Sequence, residues 1–187
     1  MAKFLVEKSG PLRGEVTISG AKNSVLPILA ATLLSKEPCE IDDVPDLKDV
    51  TILCSLLGSL GVKVDKNIEN NYVSINADQI IRSHAPEELV KMMRASILVM
   101  GPLLARTGKA VINLPGGCAI GERPVELHFK GFKAMGAEIE ISDEGIVTAV
   151  ADKLVGANIY LDFPSVGATE NIMTAAALAE GTTIIEN

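Results

Sequence analysis

Three stretches of this chain read as helices that are apolar or small almost all the way round: Asn23 to Leu34 (NSVLPILAATLL), Ala95 to Ala105 (ASILVMGPLLA) and Ala168 to Ala179 (ATENIMTAAALA). A helix without a polar face has to be enclosed on every side. These are too short to span a bilayer, so protein must enclose them, and they belong in the middle of the architecture. Two further stretches, Asp46 to Leu60 and Pro124 to Met135, carry polar residues on one face (Asp46, Lys48, Asp49, Ser55, Ser59; Glu126, His128, Lys130, Lys133). They read as surface helices, each ending in a glycine C-cap, Gly61 or Gly136.

The strands complete the picture. In a doubly wound parallel sheet they would be continuous apolar runs, but GEVTIS (Gly14 to Ser19), VKVDK (Val62 to Lys66), YVSIN (Tyr72 to Asn76) and AEIEIS (Ala137 to Ser142) alternate. Alternation implies one wet face, so sheets lie outside and helices inside. An internal repeat agrees. AKNSVLPILAATLLSKEPCEIDDVP resembles SVGATENIMTAAALAEGTTIIEN, and LCSLLGSLGVKVDKNIENNYVSI resembles HFKGFKAMGAEIEISDEGIVTAV. The expected fold is an inside-out α/β (α+β) domain built from units of strand, buried helix, strand, amphipathic helix, strand, strand. The first unit runs from Gly14 to Asn76, the second continues to Val150, and the third opens at Asn158 and stops at Asn187 after its second strand. Strand Thr182 to Glu186 would leave an apolar edge that natural domains cover, so a fragment of a longer polypeptide is expected.

Composition narrows the function. With 48% hydrophobic and 22% charged residues the chain folds rather than staying disordered. Only 3% of residues are aromatic and the formal net charge is −7, which leaves neither stacking platforms nor a basic field for nucleic acid or a membrane surface. Cys39, Cys54 and Cys118 show no metal-ligand or disulfide spacing, the sequence suggests no metal site, and a reducing cytoplasm fits. The N-terminus MAKFLVEKSGPLRG has no apolar signal core.

Any anion must then be held by a local site. If the three buried helices run side by side, their N-termini emerge together, at Gly20-Ala21-Lys22-Asn23, Met93-Arg94-Ala95-Ser96 and Ser165-Val166-Gly167-Ala168-Thr169. Unpaired N–H groups, helix dipoles, Lys22 and Arg94 would form an anion site, with phosphate the favoured guest. The segment Asn113-Leu-Pro-Gly-Gly-Cys118-Ala-Ile-Gly-Glu-Arg123-Pro-Val-Glu-Leu-His128 places a thiol in a glycine loop near Arg123 and a helix N-terminus, the setting of a reactive cysteine. Cys39 and Cys54 read as inert, His84 as a linker residue and His128 as helix surface or substrate rim.

At these residues the chain resembles the UDP-N-acetylglucosamine 1-carboxyvinyltransferase family of enolpyruvyl transferases, through GEVTISGAKNSVLPILAA, MRAS, LPGGCAIGERPVELH and SVGATENIM in order. The resemblance implies two inside-out domains in the whole enzyme, with this chain its N-terminal half. Residues 1–20 would belong with the absent second domain and residues 21–187 would form an incomplete first one. It implies transfer of the enolpyruvyl group of phosphoenolpyruvate to the 3′-hydroxyl of UDP-N-acetylglucosamine, without cofactor. Cys118 would be the catalytic acid, and Lys22, Asn23 and Arg123 would bind phosphoenolpyruvate. Arg94, Arg123, Pro124, Val125, Glu126, Leu127, Ser165, Val166 and Gly167 would bind the sugar nucleotide. Phe163 stands near a position that is lysine in some members, and Glu126 where many have aspartate. 5-Enolpyruvylshikimate-3-phosphate synthase, the nearest rival, lacks a cysteine in this loop. A binding domain that kept the scaffold without the chemistry is the other alternative.

Overall fold

The computed structural model describes residues 3–67, 69–114 and 125–187. In the first unit α1 (Lys22–Ala31) runs into a 3-10 turn (Thr32–Leu34), followed by β1 (Cys39–Ile41), α2 (Lys48–Ser59), β2 (Lys63–Asn67) and β3 (Tyr72–Asn76). In the second, a short α3 (Glu87–Met92) leads to a 3-10 segment (Arg94–Val99) continuous with α4 (Met100–Thr107), then β4 (Lys109–Asn113), α5 (Glu126–Ala134), β5 (Glu138–Ile141) and β6 (Ile146–Val150). The third contains β7 (Asn158–Tyr160), α6 (Val166–Ala176) and β8 (Ile184–Glu186).

The repeat is real at the level of topology. Both complete units form antiparallel three-stranded sheets, β1-β3-β2 and β4-β6-β5, with the last strand of the unit in the centre. Val73 and Ile75 of β3 and Val147 and Ala149 of β6 turn into the core, while the residues between them are partly solvated. Alternation has produced one wet and one dry face. The amphipathic helices end alike as well. Gly61 and Gly136 take φ of 94° and 93°, and the next amide reaches back across the last turn, Val62 N to Leu57 O at 3.3 Å and Ala137 N to Phe132 O at 3.0 Å.

The three apolar helices do bundle: α4 packs on α6, and α1 touches both α6 and the Arg94–Val99 segment. Enclosure is most complete for α4, where Met100 to Leu104 are all buried. For the other two it is partial, against expectation, with Ile28 of α1 and Val166 and Met173 of α6 exposed. In the first two units an amphipathic helix and a hairpin add cover, and residues 158–187 contain neither. The second helix also departs from a plain α-helix. It winds as a 3-10 segment up to Val99, and around the junction with α4 Pro102 has no N–H while Gly101 N and Ile97 O both bond to Asn171.

Gly14 to Ser19 is not a strand. Residues 3–20 contain no helix or strand, and Val16 and Ile18 are exposed, Ile18 by 91%. An alternating pattern makes a strand only where a neighbour completes the hydrogen bonds, and none of the described residues does. The later units show the pairing that the first lacks. There the stretch before the buried helix runs parallel to the strand after it, as β7 with β8 and as Ser83 to Ala85 beside Val111, with Val111 N to Ser83 O at 2.7 Å.

Candidate functional site

The three helix tips meet. Lys22 and Asn23 at the start of α1, Met93 and Arg94 at the 3-10 segment, and Ser165, Val166 and Gly167 at α6 line one cleft of about 750 Å³. The convergence follows from packing, since helices bundled side by side with the same chain direction bring their N-termini to one end. Neither Ala21 nor Met93 offers a capping side chain, so first-turn N–H groups there are not claimed by a cap. At α6 the Ser165 hydroxyl accepts from Ala168 N at 3.4 Å, which leaves the Val166 and Gly167 amides ahead of the helix's own bonds.

Charge is concentrated at the same place. Lys22 Nζ lies 3.0 Å from Asp49 Oδ2, in a pair roughly half solvated on the lysine side. Arg94 is near enough to His128 to disfavour its protonation. Glu170, a further cleft residue, has its carboxyl pushed up by burial. Among the described residues the cleft therefore presents two cations and three helix N-termini against two carboxylates, one of them already engaged by Lys22.

Beneath the cleft lies a polar cluster inside an apolar core. His128 is only 6% exposed, so it is cleft lining rather than the helix surface. The buried stripe of α5 is wide, spanning Leu127, His128, Phe129, Gly131 and Phe132, because α5 packs on α6. Gly131 permits that approach: a Cβ there would lie 2.3 Å from Ile172 Cδ1. On the other side of α6, Gly101 N donates to Asn171 Oδ1 at 2.8 Å. Asn171 Nδ2 lies 2.9 Å from Ile97 O and 2.9 Å from His128 Nδ1. The His128 pKa is lowered to about 4, by burial first and by Arg94 second.

Of the residues expected to act, Lys22, Asn23, Arg94, Ser165, Val166 and Gly167 are brought together. Cys118, Arg123 and Pro124 lie outside the described residues. Val125 and Leu127 are buried in the core and Glu126 is exposed at the start of α5. Cys54 is buried and its thiol is pushed up by burial, with Lys66 opposing; Cys39 is half-buried. The structure adds Asp49 and Glu170 to the cleft and Asn171 beneath it. A signal for Asn171 existed, since an amide inside the apolar run ATENIMTAAALA needs buried partners. For Asp49 none existed, because its partner comes from another helix.

The family model described as EPSP synthase (3-phosphoshikimate 1-carboxyvinyltransferase) matches residues 6–187. Among curated relatives, the UDP-N-acetylglucosamine 1-carboxyvinyltransferase of Finegoldia magna is 58% identical over 187 residues, covering 100% of this chain and 44% of the relative. UDP-N-acetylglucosamine 1-carboxyvinyltransferase 1 of Caldanaerobacter subterraneus subsp. tengcongensis is 57% identical over 185 residues, 99% of this chain and 44% of that one. The chain thus spans less than half the length of these relatives. Among solved structures, the enolpyruvyl transferase NikO from Streptomyces tendae superposes with a TM-score of 0.79 at 22% identity, over 93% of this chain and 40% of that one. EPSP synthase from Acinetobacter baumannii gives 0.71 at 20%, over 92% and 40%.

Proposed function

Because the chain belongs to the EPSP synthase (3-phosphoshikimate 1-carboxyvinyltransferase) family, we propose that it forms one half of an enolpyruvyl transferase whose substrates are phosphoenolpyruvate and UDP-N-acetylglucosamine. The names of its relatives favour the sugar nucleotide over a shikimate phosphate as acceptor. The observation that carries the reading is the cleft: an acidic chain gathers Lys22, Arg94 and three helix N-termini at one place, which suits two anionic substrates.

In this reading the 3′-hydroxyl gives its proton to a base in the remainder of the enzyme as its oxygen bonds to C2 of phosphoenolpyruvate, while Cys118 protonates the methylene carbon. The resulting tetrahedral intermediate then loses phosphate and a methyl proton, restoring the carbon–carbon double bond in the enolpyruvyl ether. Lys22, Asn23 and Arg123 hold phosphoenolpyruvate. Arg94, Arg123, Pro124, Val125, Glu126 and Leu127 meet the sugar nucleotide together with Ser165, Val166 and Gly167. The reaction would serve peptidoglycan synthesis in the cytoplasm. Residues 1–20 would pack on a second domain supplied by the remainder of the enzyme and residues 21–187 would form the first. The solvent-exposed apolar side chains of Leu12, Val16 and Ile18 support that division.

Thiol alkylation tests the reading. Cys118 is expected to label faster than Cys54 and Cys39, and UDP-N-acetylglucosamine is expected to change its rate. Equal, slow labelling of all three thiols, unaltered by the nucleotide, would favour a scaffold without the chemistry. The chain alone is expected not to turn over, and phosphate release from both substrates by the purified chain would overturn that expectation.

A further inference from the structure

The cluster beneath the cleft determines where the His128 proton sits. A backbone N–H only donates, so the Asn171 atom facing Gly101 N at 2.8 Å is the oxygen and the other atom is the NH₂ group. A backbone carbonyl only accepts, so one of the two amide hydrogens goes to Ile97 O. The second is directed at His128 Nδ1, which must therefore present a lone pair. A proton on Nδ1 would face the amide hydrogen, so the imidazole stays neutral and carries its hydrogen on Nε2. The depressed pKa agrees with this.

That nitrogen faces the cleft. His128 is part of the cleft lining, and a Cβ placed on Gly167 would lie 4.0 Å from Nε2 and 3.8 Å from Cε1. The imidazole edge left over by Asn171 thus opens on the first turn of α6, where the Val166 and Gly167 amides precede the helix's own hydrogen bonds. We propose that His128 is a neutral hydrogen-bond donor for the sugar nucleotide, its Nε2–H held by Asn171 toward a phosphoryl oxygen of the diphosphate at the N-terminus of α6. This assignment rests on the reading of the cleft given above and adds a recognition element to it. A neutral donor has a use beside Lys22 and Arg94, because it adds directionality without further repulsion among cations.

Nitrogen-15 spectra of the His128 ring in the 187-residue chain, near neutral pH, test this with and without UDP-N-acetylglucosamine. The expected result is a protonated Nε2 and a bare Nδ1, with Nε2 moving when the nucleotide is added and not when phosphoenolpyruvate replaces it. Nucleotide affinity should fall about tenfold or more in His128→Leu, the loss expected for a hydrogen bond to a charged group. It should be largely kept in His128→Gln, whose amide nitrogen reaches the Nε2 position. A proton on Nδ1, or a charged ring, overturns the proposal. So does a nucleotide that shifts the Val166 and Gly167 amides but leaves Nε2 unmoved, which would spare the reading of the cleft. If neither moves, both fall.

Discussion

Replacing Gly101 by alanine probes the packing that builds the site, and its sign is set by two opposed effects. Away from tertiary contacts, a glycine-to-alanine change inside a helix stabilises by about 0.5–1 kcal/mol. At Gly101, however, the new Cβ would lie 2.2 Å from Asn171 O, 2.6 Å from Asn171 Oδ1 and 3.0 Å from Thr174 Oγ1. Two of these atoms are fixed by the backbone or by the amide cluster and cannot rotate away. To restore ordinary contact, α4 and α6 have to separate by roughly 1 Å in a core packed to crystal density. Overpacking of this kind costs about 1–3 kcal/mol. The separation also breaks the 2.8 Å bond from Gly101 N to Asn171 Oδ1 and leaves a buried donor unpaired, for about 1–3 kcal/mol more. The net expectation is a loss of about 3 kcal/mol. Gly58 in α2 is the control, since a Cβ there meets nothing within 4 Å. Gly58→Ala should gain about 0.5–1 kcal/mol. Urea unfolding of the parent and both variants, followed by circular dichroism, measures the difference. If Gly101→Ala unfolds at or above the parent midpoint, the account of α4 seated against Asn171 is wrong.

His128 should make stability pH-dependent in a defined window. Its pKa is about 4 in the folded chain against 6.5 ordinarily. Between these values the unfolded chain binds a proton that the folded chain refuses, so stability falls as pH drops from 6.5 toward 4, by up to about 3 kcal/mol. Subtracting the same urea series on His128→Gln isolates that slope, and parallel curves would refute it. The Lys22 and Asp49 pair is partly solvated, so Asp49→Asn should change stability by less than about 1 kcal/mol. By releasing Lys22 it should tighten inorganic phosphate binding about two- to fivefold, and calorimetry showing weaker binding would contradict the role given to Lys22. Cys54, buried with its thiol pushed up, should react with an alkylating reagent only on unfolding. Labelling of Cys54 at the rate of an exposed thiol in the folded chain would refute that burial.

Much of the fold was legible because the signals are local. Gly61 and Gly136 end their helices in the left-handed region, and Val73 and Ile75 alternate with wetter neighbours whatever the rest of the chain does. Gly14 to Ser19 has the alternation of a strand without being one, because a strand is a relation between two segments and periodicity reports only one of them. The apolar run Ala95 to Ala105 reads as a single helix, because apolarity does not distinguish the 3-10 winding of Arg94–Val99 from the α-helix that follows it. At the site, Lys22 and Arg94 were found through the repeat, whose equivalent positions come to one end of a bundle. Asp49 was missed because it reaches Lys22 from a neighbouring helix.

The sequence by itself determined that apolar helices go with half-wet sheets, that the units repeat, and that Lys22 and Arg94 stand at equivalent helix starts. These conclusions rest on patterns that recur within a few residues. Only the tertiary structure decided that Asn171 joins His128 to α4, that Asp49 neutralises Lys22, and that His128 is buried beneath the cleft. The first and third depend on how closely α4, α5 and α6 approach, which is set by the volume at Gly101 and Gly131, and the second on α1 lying beside α2, none of which is a periodicity along the chain.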